Sequence, residues 1–158
     1  MNVITQPVSD KLFNGLTFLV VDDNPEIAIL AERMLRARGA RQVWRETGVK
    51  QAMASVLTPQ TAPSLILSDN RMTPLTGLHF LQAVRMGINK HIPRDTPFVL
   101  MTGFSEVWTV NIARSLDVQG FVAKPASVQT LVQAIQKALS QKFTVKSPDV
   151  YHAIKVTG

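Results

Sequence analysis

Residues 16–25 read LTFLVVDDNP, a run of apolar and β-branched residues that stops at two adjacent aspartates. Such a run is typical of a strand that is buried on both faces of a sheet. Pro25 is suited to the first turn of a helix, where its missing N–H group is not needed. Apolar residues then recur at helical spacing as far as Gly39, namely Ile27, Leu30, Met34 and Leu35. We therefore predict a buried strand that leads directly into an amphipathic helix.

The same strand-and-helix unit recurs four more times along the chain. Short apolar runs predict further strands at 41–46, 64–69, 98–102 and 118–123. Apolar residues at helical spacing predict helices near 49–57, 77–88, 105–116 and 127–139. Ser105 and Ser127 are suited to cap the last two helices, and Trp108 would lie on a helix face, either in the core or as a contact for a partner. This alternation predicts a doubly wound α/β fold, with helices on both faces of a five-stranded parallel sheet.

The bulk composition favours one folded domain. The chain has 158 residues, of which 46% are hydrophobic and 18% charged, and this favours a packed core over disorder. It contains no cysteine, which excludes disulfides and thiolate metal sites. We see no signal peptide and no apolar run of membrane-spanning length, so we expect a cytoplasmic location. The formal net charge of +6 predicts a solubilising basic surface or a patch for an acidic partner, and the scattered Lys and Arg residues favour the first.

Polar residues follow the buried strands at the same end of the predicted sheet. Asp22 and Asp23 follow the first strand, Asp69 ends the third, Thr102 ends the fourth, and Lys124 follows the fifth. The carboxyl ends of such strands face the functional crevice, so we expect these side chains to converge. Neighbouring carboxylates repel one another unless a cation neutralises them, and Mg2+ prefers oxygen ligands of this kind. A carboxylate nucleophile beside a lysine, a hydroxyl and Mg2+ predicts phosphoryl transfer to aspartate.

Each of these residues also has a purely structural interpretation. Asp22 and Asp23 precede a helix and could cap it, and Asp69 could begin a turn through its side chain. Thr102 could be an ordinary strand-end residue, and Lys124 could belong to a common loop sequence. The functional interpretation depends on all of them occurring together, in order, on the right strands.

Four stretches of the chain resemble the response-regulator receiver domain of the CheY type. They are FLVVDDNP, LILSDNRMTPLTGLHFLQAVR, VLMTG and GFVAKP, and the resemblance covers about residues 15–141. It implies a flavodoxin-like, CheY-like sheet with strand order 2-1-3-4-5 and five helices. Residues 1–14 would then be an N-terminal extension. Residues 142–158 would be a C-terminal tail, which could pack on the domain, dimerise or stay mobile.

The resemblance implies a metal site and a phosphoacceptor. Asp69 would accept the phosphoryl group. The carboxylates of Asp22, Asp23 and Asp69 would support Mg2+, and the backbone carbonyl of Arg71 would complete the set of protein ligands.

The resemblance also implies a switch and its partners. Thr102 and Lys124 would bind the phosphoryl group, and Phe121 falls on the position of the switch aromatic. A histidine kinase or a histidine phosphotransfer protein would supply the phosphoryl group from a phosphohistidine. The face of the fourth helix, the fifth strand and the fifth helix would then bind an unidentified downstream protein or form a homodimer. We expect no DNA-binding domain and no enzymatic activity other than self-catalysed phosphotransfer and dephosphorylation. The chain would then be a stand-alone phosphorelay component.

Two other functions stay open from the sequence. A magnesium-dependent phosphatase or phosphotransferase of the haloacid-dehalogenase type also uses an aspartate nucleophile, but that aspartate ends the first strand within an Asp-x-Asp motif. A receiver-like interaction module that is never phosphorylated would usually lack part of the residue set, which is complete here. Stable labelling of Asp69 by acetyl phosphate would exclude the first alternative, and magnesium-dependent binding of beryllofluoride would exclude the second.

Arg71 and Phe104 fall on two variable positions that flank the phosphoryl site. Both side chains are large and would hinder the water that hydrolyses the acyl phosphate, so we expect slow self-dephosphorylation. The Arg71→Ala, Phe104→Ala double variant should lose its phosphoryl group faster, as measured by the decay of labelled protein after the donor is removed. A decay no faster than that of the wild type would contradict the shielding.

Overall fold

The computed structural model describes residues 11–103 and 108–156. Its five strands are β1 (Thr17–Val21), β2 (Gln42–Glu46), β3 (Leu65–Asp69), β4 (Phe98–Thr102) and β5 (Gly120–Ala123). They form one parallel sheet in the order β2-β1-β3-β4-β5. The chain runs outward in one direction from β1 to β2 and in the other direction from β3 to β5, so the predicted doubly wound α/β fold is confirmed.

Six α-helices lie in the described part of the chain, one more than predicted. They are α1 (Pro25–Arg36), α2 (Val49–Ser55), α3 (Gly77–Met86), α4 (Thr109–Ser115), α5 (Val128–Ser140) and α6 (Pro148–His152), and a short 3-10 helix covers Pro59–Thr61. The additional helix, α6, lies in the predicted tail, where the sequence shows no helical period. Among the described residues, no helix has the length and apolar composition that a membrane crossing requires.

Side-chain caps explain where two of the helices begin. The Oγ atom of Ser127 accepts the backbone N–H of Thr130 at 3.0 Å and starts α5, as predicted. Thr76 caps α3 in the same way through the N–H of His79. Ser105, the predicted cap of α4, lies outside the described residues.

Two apolar cores lie on opposite faces of the sheet. α1 and α5 pack on one face against residues such as Phe18 and Leu67. α2, α3 and α4 pack on the other face against residues such as Leu19 and Ile66. Successive strand residues point to opposite faces of the sheet. Because both faces are covered by helices, every residue of β1, β3 and β4 is buried. This burial explains the unbroken apolar runs in the sequence.

Several apolar residues at helical spacing lie on the surface. The exposed fraction is between 47% and 72% for Leu30, Leu57, Ile88, Trp108 and Val128. α2 ends at Ser55 and α3 at Met86, so Leu57 and Ile88 lie beyond the helices that they were expected to extend. Trp108 precedes α4 instead of lying on its inner face. The core interpretation of Trp108 is therefore wrong, and its role as a partner contact stays a prediction.

Both flanking segments contribute residues to the packed domain. Phe13 is fully buried and meets Phe18 edge to face, with ring centroids 5.4 Å apart. Tyr151 is fully buried in the core that contains α3. Of the three alternatives predicted for the tail, the structure shows packing on the domain. The division into residues 1–14, 15–141 and 142–158 stays a prediction.

Candidate functional site

Three carboxylates meet at the carboxyl end of the sheet. Asp69 ends β3, and Asp22 and Asp23 directly follow β1. β1 and β3 are neighbouring strands, and carboxylate oxygens of the three residues lie within 4.8 Å of one another. Asp22 and Asp69 are buried, whereas Asp23 is exposed. The structure thus brings together the three acids that the sequence predicts.

Lys124 faces these acids from the end of β5. Its Nζ atom lies 3.1 Å from Oδ1 of Asp69 and 3.2 Å from Oδ2 of Asp22. Its backbone N–H donates to the carbonyl of Thr102 at 2.7 Å, which fixes the lysine beside the end of β4. One ammonium group therefore contacts two buried carboxylates that come from different strands.

The charges in this cluster are not balanced. Burial raises the pKa of Asp69; the hydrogen bond and charge of Lys124 oppose this rise, and the charges of Asp22 and Asp23 add to it. Burial by itself lowers the pKa of Lys124, but its interactions with Asp69 and Asp22 outweigh burial and raise that pKa above its ordinary value. One lysine therefore does not compensate three acids, and the site favours a further cation.

The turn after β1 holds Asp22 in place. The backbone N–H of Asn24 donates to Oδ1 of Asp22 at 2.9 Å. The Asn24 side chain in turn accepts the N–H of Glu26 at 3.0 Å and caps α1. The cap of α1 is therefore Asn24, and the interpretation of the Asp22-Asp23 pair as the helix cap is wrong.

The loop from β3 to α3 returns tightly to the phosphoacceptor candidate. The buried Asn70 accepts the N–H of Gly77 on its carbonyl at 3.0 Å and the N–H of Leu78 on its side chain at 3.1 Å. A Cβ atom on Gly77 would lie 2.5 Å from the carbonyl oxygen of Asp69, so a side chain does not fit there. Sequence reasoning missed this role of Asn70, for which the only local signal was its position directly after Asp69.

Three more of the predicted residues lie in the described part of the chain. Thr102 is buried at the end of β4. Arg71 lines a shallow pocket of about 390 Å³ together with the three acids and Lys124. Phe121 lies on β5 and lines a separate pocket of about 390 Å³ between α4 and α5. Phe104 lies outside the described residues.

The donor set fits a hard divalent cation such as Mg2+. The carboxylates of Asp22, Asp23 and Asp69 supply only oxygen atoms, two of these residues are buried, and the pocket is open to solvent. Mg2+ is bound in this manner, by few protein carboxylates together with water or substrate oxygens. The excess negative charge described above favours the same ion.

Comparison with known proteins identifies the family. Response regulator receiver domains match residues 18–136. The chain is 29% identical over 118 residues to the probable chemotaxis protein CheY of Rhizobium etli, covering 75% of this chain and 88% of that protein. It is 23% identical over 124 residues to sporulation initiation phosphotransferase F of Bacillus subtilis, covering 78% of this chain and 94% of that protein.

Solved structures agree with this assignment. The structure of the chemotaxis protein CheY4 of Vibrio cholerae has a TM-score of 0.68 at 25% identity and covers 78% of this chain and 98% of its own. The family match contains the acids, Thr102 and Lys124, whereas α6 lies outside it. The chain therefore belongs to the response regulator receiver domain family.

Proposed function

We propose that this domain accepts a phosphoryl group on Asp69 and passes the signal to a partner protein. The observation that carries the proposal is the contact of Lys124 with both Asp69 and Asp22 inside the three-acid pocket. The donor is the phosphohistidine of a histidine kinase or of a histidine phosphotransfer protein. The domain is a phosphorelay component and catalyses no reaction beyond its own phosphorylation and dephosphorylation.

Phosphorylation begins with the attack of an Asp69 carboxylate oxygen on the phosphorus atom. The P–N bond to histidine breaks, the histidine nitrogen keeps the electron pair, and an acyl phosphate forms on Asp69. Lys124 exchanges its contact with Asp69 for a contact with a phosphoryl oxygen, and the Thr102 hydroxyl donates to another.

Asp22, Asp23, Asp69 and the backbone carbonyl of Arg71 would hold Mg2+. When bound, this ion offsets the negative charge on the oxygens of the transferred group. The positions of Asp22 and Asp69 at the ends of adjacent strands support this assignment.

The phosphoryl group then changes the face formed by α4, β5 and α5. It adds nearly two negative charges and three acceptor oxygens at one end of the sheet. The Thr102 hydroxyl turns toward these oxygens, and Phe121 turns into the space behind it. Moving a two-state domain from mostly off to mostly on requires about 5.5 kcal/mol of differential stabilisation. The pocket at Phe121, which Arg114 and Lys137 also line, is where a downstream protein or a second copy would bind.

A groove between α1 and the start of α5 is suited to the phosphoryl donor. Its volume is about 520 Å³, and its lining is mostly apolar, including Leu30, Val128 and Leu131. Lys124 also lines this groove and contacts Asp69. A protein helix bound in the groove can therefore bring its phosphohistidine close to Asp69. The exposure of Leu30, which the helical pattern did not predict, fits this role.

The Leu30→Ser variant should therefore discriminate between donors. We expect the rate of transfer from a protein phosphohistidine to fall about tenfold more than the rate with acetyl phosphate, because truncating an anchor costs roughly 1–2 kcal/mol of binding. The Ile88→Ser variant is the matched control, since Ile88 is equally exposed at 63% but lies beyond α3, away from the groove. Equal effects of Leu30→Ser on both donors would refute the groove as the docking site.

Labelling by a small donor tests the function itself. Protein treated with acetyl phosphate and Mg2+ should gain one phosphoryl group, which peptide mass spectrometry should find on Asp69. Chelation of the metal should prevent labelling. Turnover of small phosphomonoesters without a stable label would favour the phosphatase alternative. Failure to bind beryllofluoride in the presence of Mg2+ would favour an interaction module that is never phosphorylated.

A further inference from the structure

Residues 143–156, here called the tail segment, turn back from α5 and pack across α3. α5 packs on the opposite face of the sheet, so the tail segment crosses from one helix layer to the other. The side-chain amide of Gln82 on α3 donates to the carbonyls of Tyr151 at 2.9 Å and Ile154 at 2.8 Å. The tail segment is therefore a bound part of the domain.

The tail segment is also tied to the end of α4 through Asp117. The Tyr151 hydroxyl donates to Oδ2 of Asp117 at 2.7 Å, and Nζ of Lys146 lies 2.8 Å from the same oxygen. The backbone N–H of Lys146 donates to the Tyr151 hydroxyl at 3.0 Å. Hydrogen bonds to an ionised acceptor are stronger than neutral ones. The attachment therefore lies just after the C-terminal end of α4.

A buried arginine connects these contacts to α3. Arg85 donates to the carbonyls of Leu116 at 3.2 Å and Asp117 at 2.8 Å. Its guanidinium carbon lies 4.8 Å from the centroid of the Phe143 ring in the tail segment, a distance suited to a cation–π contact. α3, the end of α4 and the tail segment thus form one connected group.

Along the chain, α4 lies between the phosphorylation site and this group. The chain leaves the carboxyl end of β4 at Thr102, beside the acids, and α4 then leads to Asp117 at the tail segment. A displacement of Thr102 that reaches α4 would therefore meet a helix whose C-terminal end is followed directly by the contacts of the tail segment. The position of α4 described here occurs together with the contact of Lys124 with Asp69, which the proposed phosphorylation breaks, and the tail segment holds α4 in this position.

We propose that the tail segment is a latch on α4 that opposes the change produced by phosphorylation. This inference rests on the proposed function and adds a regulatory element outside the matched family region. Because coupling between two sites is reciprocal, phosphorylation loosens the tail segment as much as the tail segment disfavours phosphorylation. The segment therefore sets how readily the α4, β5 and α5 face changes.

The Tyr151→Phe variant tests the latch because it removes the hydroxyl but keeps the buried ring. Its affinity for beryllofluoride with Mg2+, measured by calorimetry, should be roughly two- to tenfold higher than that of the wild type, as expected for the loss of one hydrogen bond. Addition of beryllofluoride to the wild type should also speed hydrogen exchange of amides in the tail segment.

Asn89→Ala serves as the matched control. Asn89 donates to the carbonyls of Met53 at 2.9 Å and Val56 at 3.0 Å on the same side of the sheet, with neither bond reaching the tail segment or α4. This variant should bind beryllofluoride as the wild type does. If Asn89→Ala also binds beryllofluoride more tightly than the wild type, the gain reflects general loosening of the domain, and the latch proposal is wrong.

The outcomes separate the latch from the phosphoacceptor function. If Tyr151→Phe and the wild type bind beryllofluoride equally well, or if the ligand leaves exchange in the tail segment unchanged, the latch is wrong and the phosphoacceptor function stands. If the wild type does not bind beryllofluoride in the presence of Mg2+, both proposals are overturned.

Discussion

The Asp69→Asn variant should lose all detectable labelling by acetyl phosphate while it remains folded. An amide does not attack phosphorus as a carboxylate does, and no other acid in the cluster lies at the end of β3. Burial and the neighbouring acids raise the pKa of Asp69, so the charged carboxylate is less stable in the folded protein than in water. A neutral side chain of the same shape should therefore leave the thermal midpoint in metal-free buffer at or above that of the wild type.

Mg2+ provides a second readout for this variant. A ligand at about 100 times its dissociation constant stabilises the folded state by about 2.7 kcal/mol. Mg2+ should therefore raise the thermal midpoint of the wild type and have much less effect on Asp69→Asn, which lacks one carboxylate of the cluster. Glu32→Gln is a suitable control. It removes a carboxylate that forms ion pairs with Arg36 and Arg45 at the surface. Labelling of Asp69→Asn at the wild-type rate would contradict the assignment of the phosphoacceptor.

The Arg85→Met variant should cause the largest loss of folding stability. Arg85 is fully buried and donates to four backbone carbonyls and one side-chain oxygen, namely those of Arg94, Thr96, Leu116, Asp117 and Gln119. Burial lowers its pKa to about 10, so the side chain stays charged at neutral pH. Methionine fills much of the space but leaves these acceptors without their donor. We expect a loss of about 3–5 kcal/mol in the free energy of unfolding.

Urea denaturation measures this loss against a surface arginine. Arg36→Met removes an exposed pair with Glu32, and such pairs contribute about 0–1 kcal/mol. If Arg85→Met costs no more than Arg36→Met, the buried hydrogen bonds of Arg85 do not hold α3 to the connection between α4 and β5.

The sheet and the acidic cluster were predictable because their signals are local. The buried strands β1, β3 and β4 are mostly apolar runs, such as residues 16–21, and a polar residue ends or directly follows each of them at the same edge. The parallel arrangement then brings Asp22, Asp69 and Lys124 together without any further information. The start of α1 was less predictable, since the sequence offered Asp22 and Asp23 as possible caps, whereas the structure identifies Asn24.

The contacts of Arg85 and the tail segment were not predictable from local pattern. Arg85 occupies one position of α3, but its five acceptors lie in two separate connections, the one from α3 to β4 and the one from α4 to β5. α6 has five residues, too few for a helical period to be visible. The ends of α2 and α3 decide the exposure of Leu57 and Ile88, and helix ends are the least certain part of a sequence-based prediction.

The path of the tail segment affects where a reporter can be attached. Val156 packs against the core that contains α3, so a fluorescent protein or affinity tag joined directly after Val156 would begin on that side of the sheet. Such a fusion would pull on the contacts of Tyr151 and Ile154 and could change the behaviour it is meant to report. A short peptide label in an exposed loop avoids this disturbance.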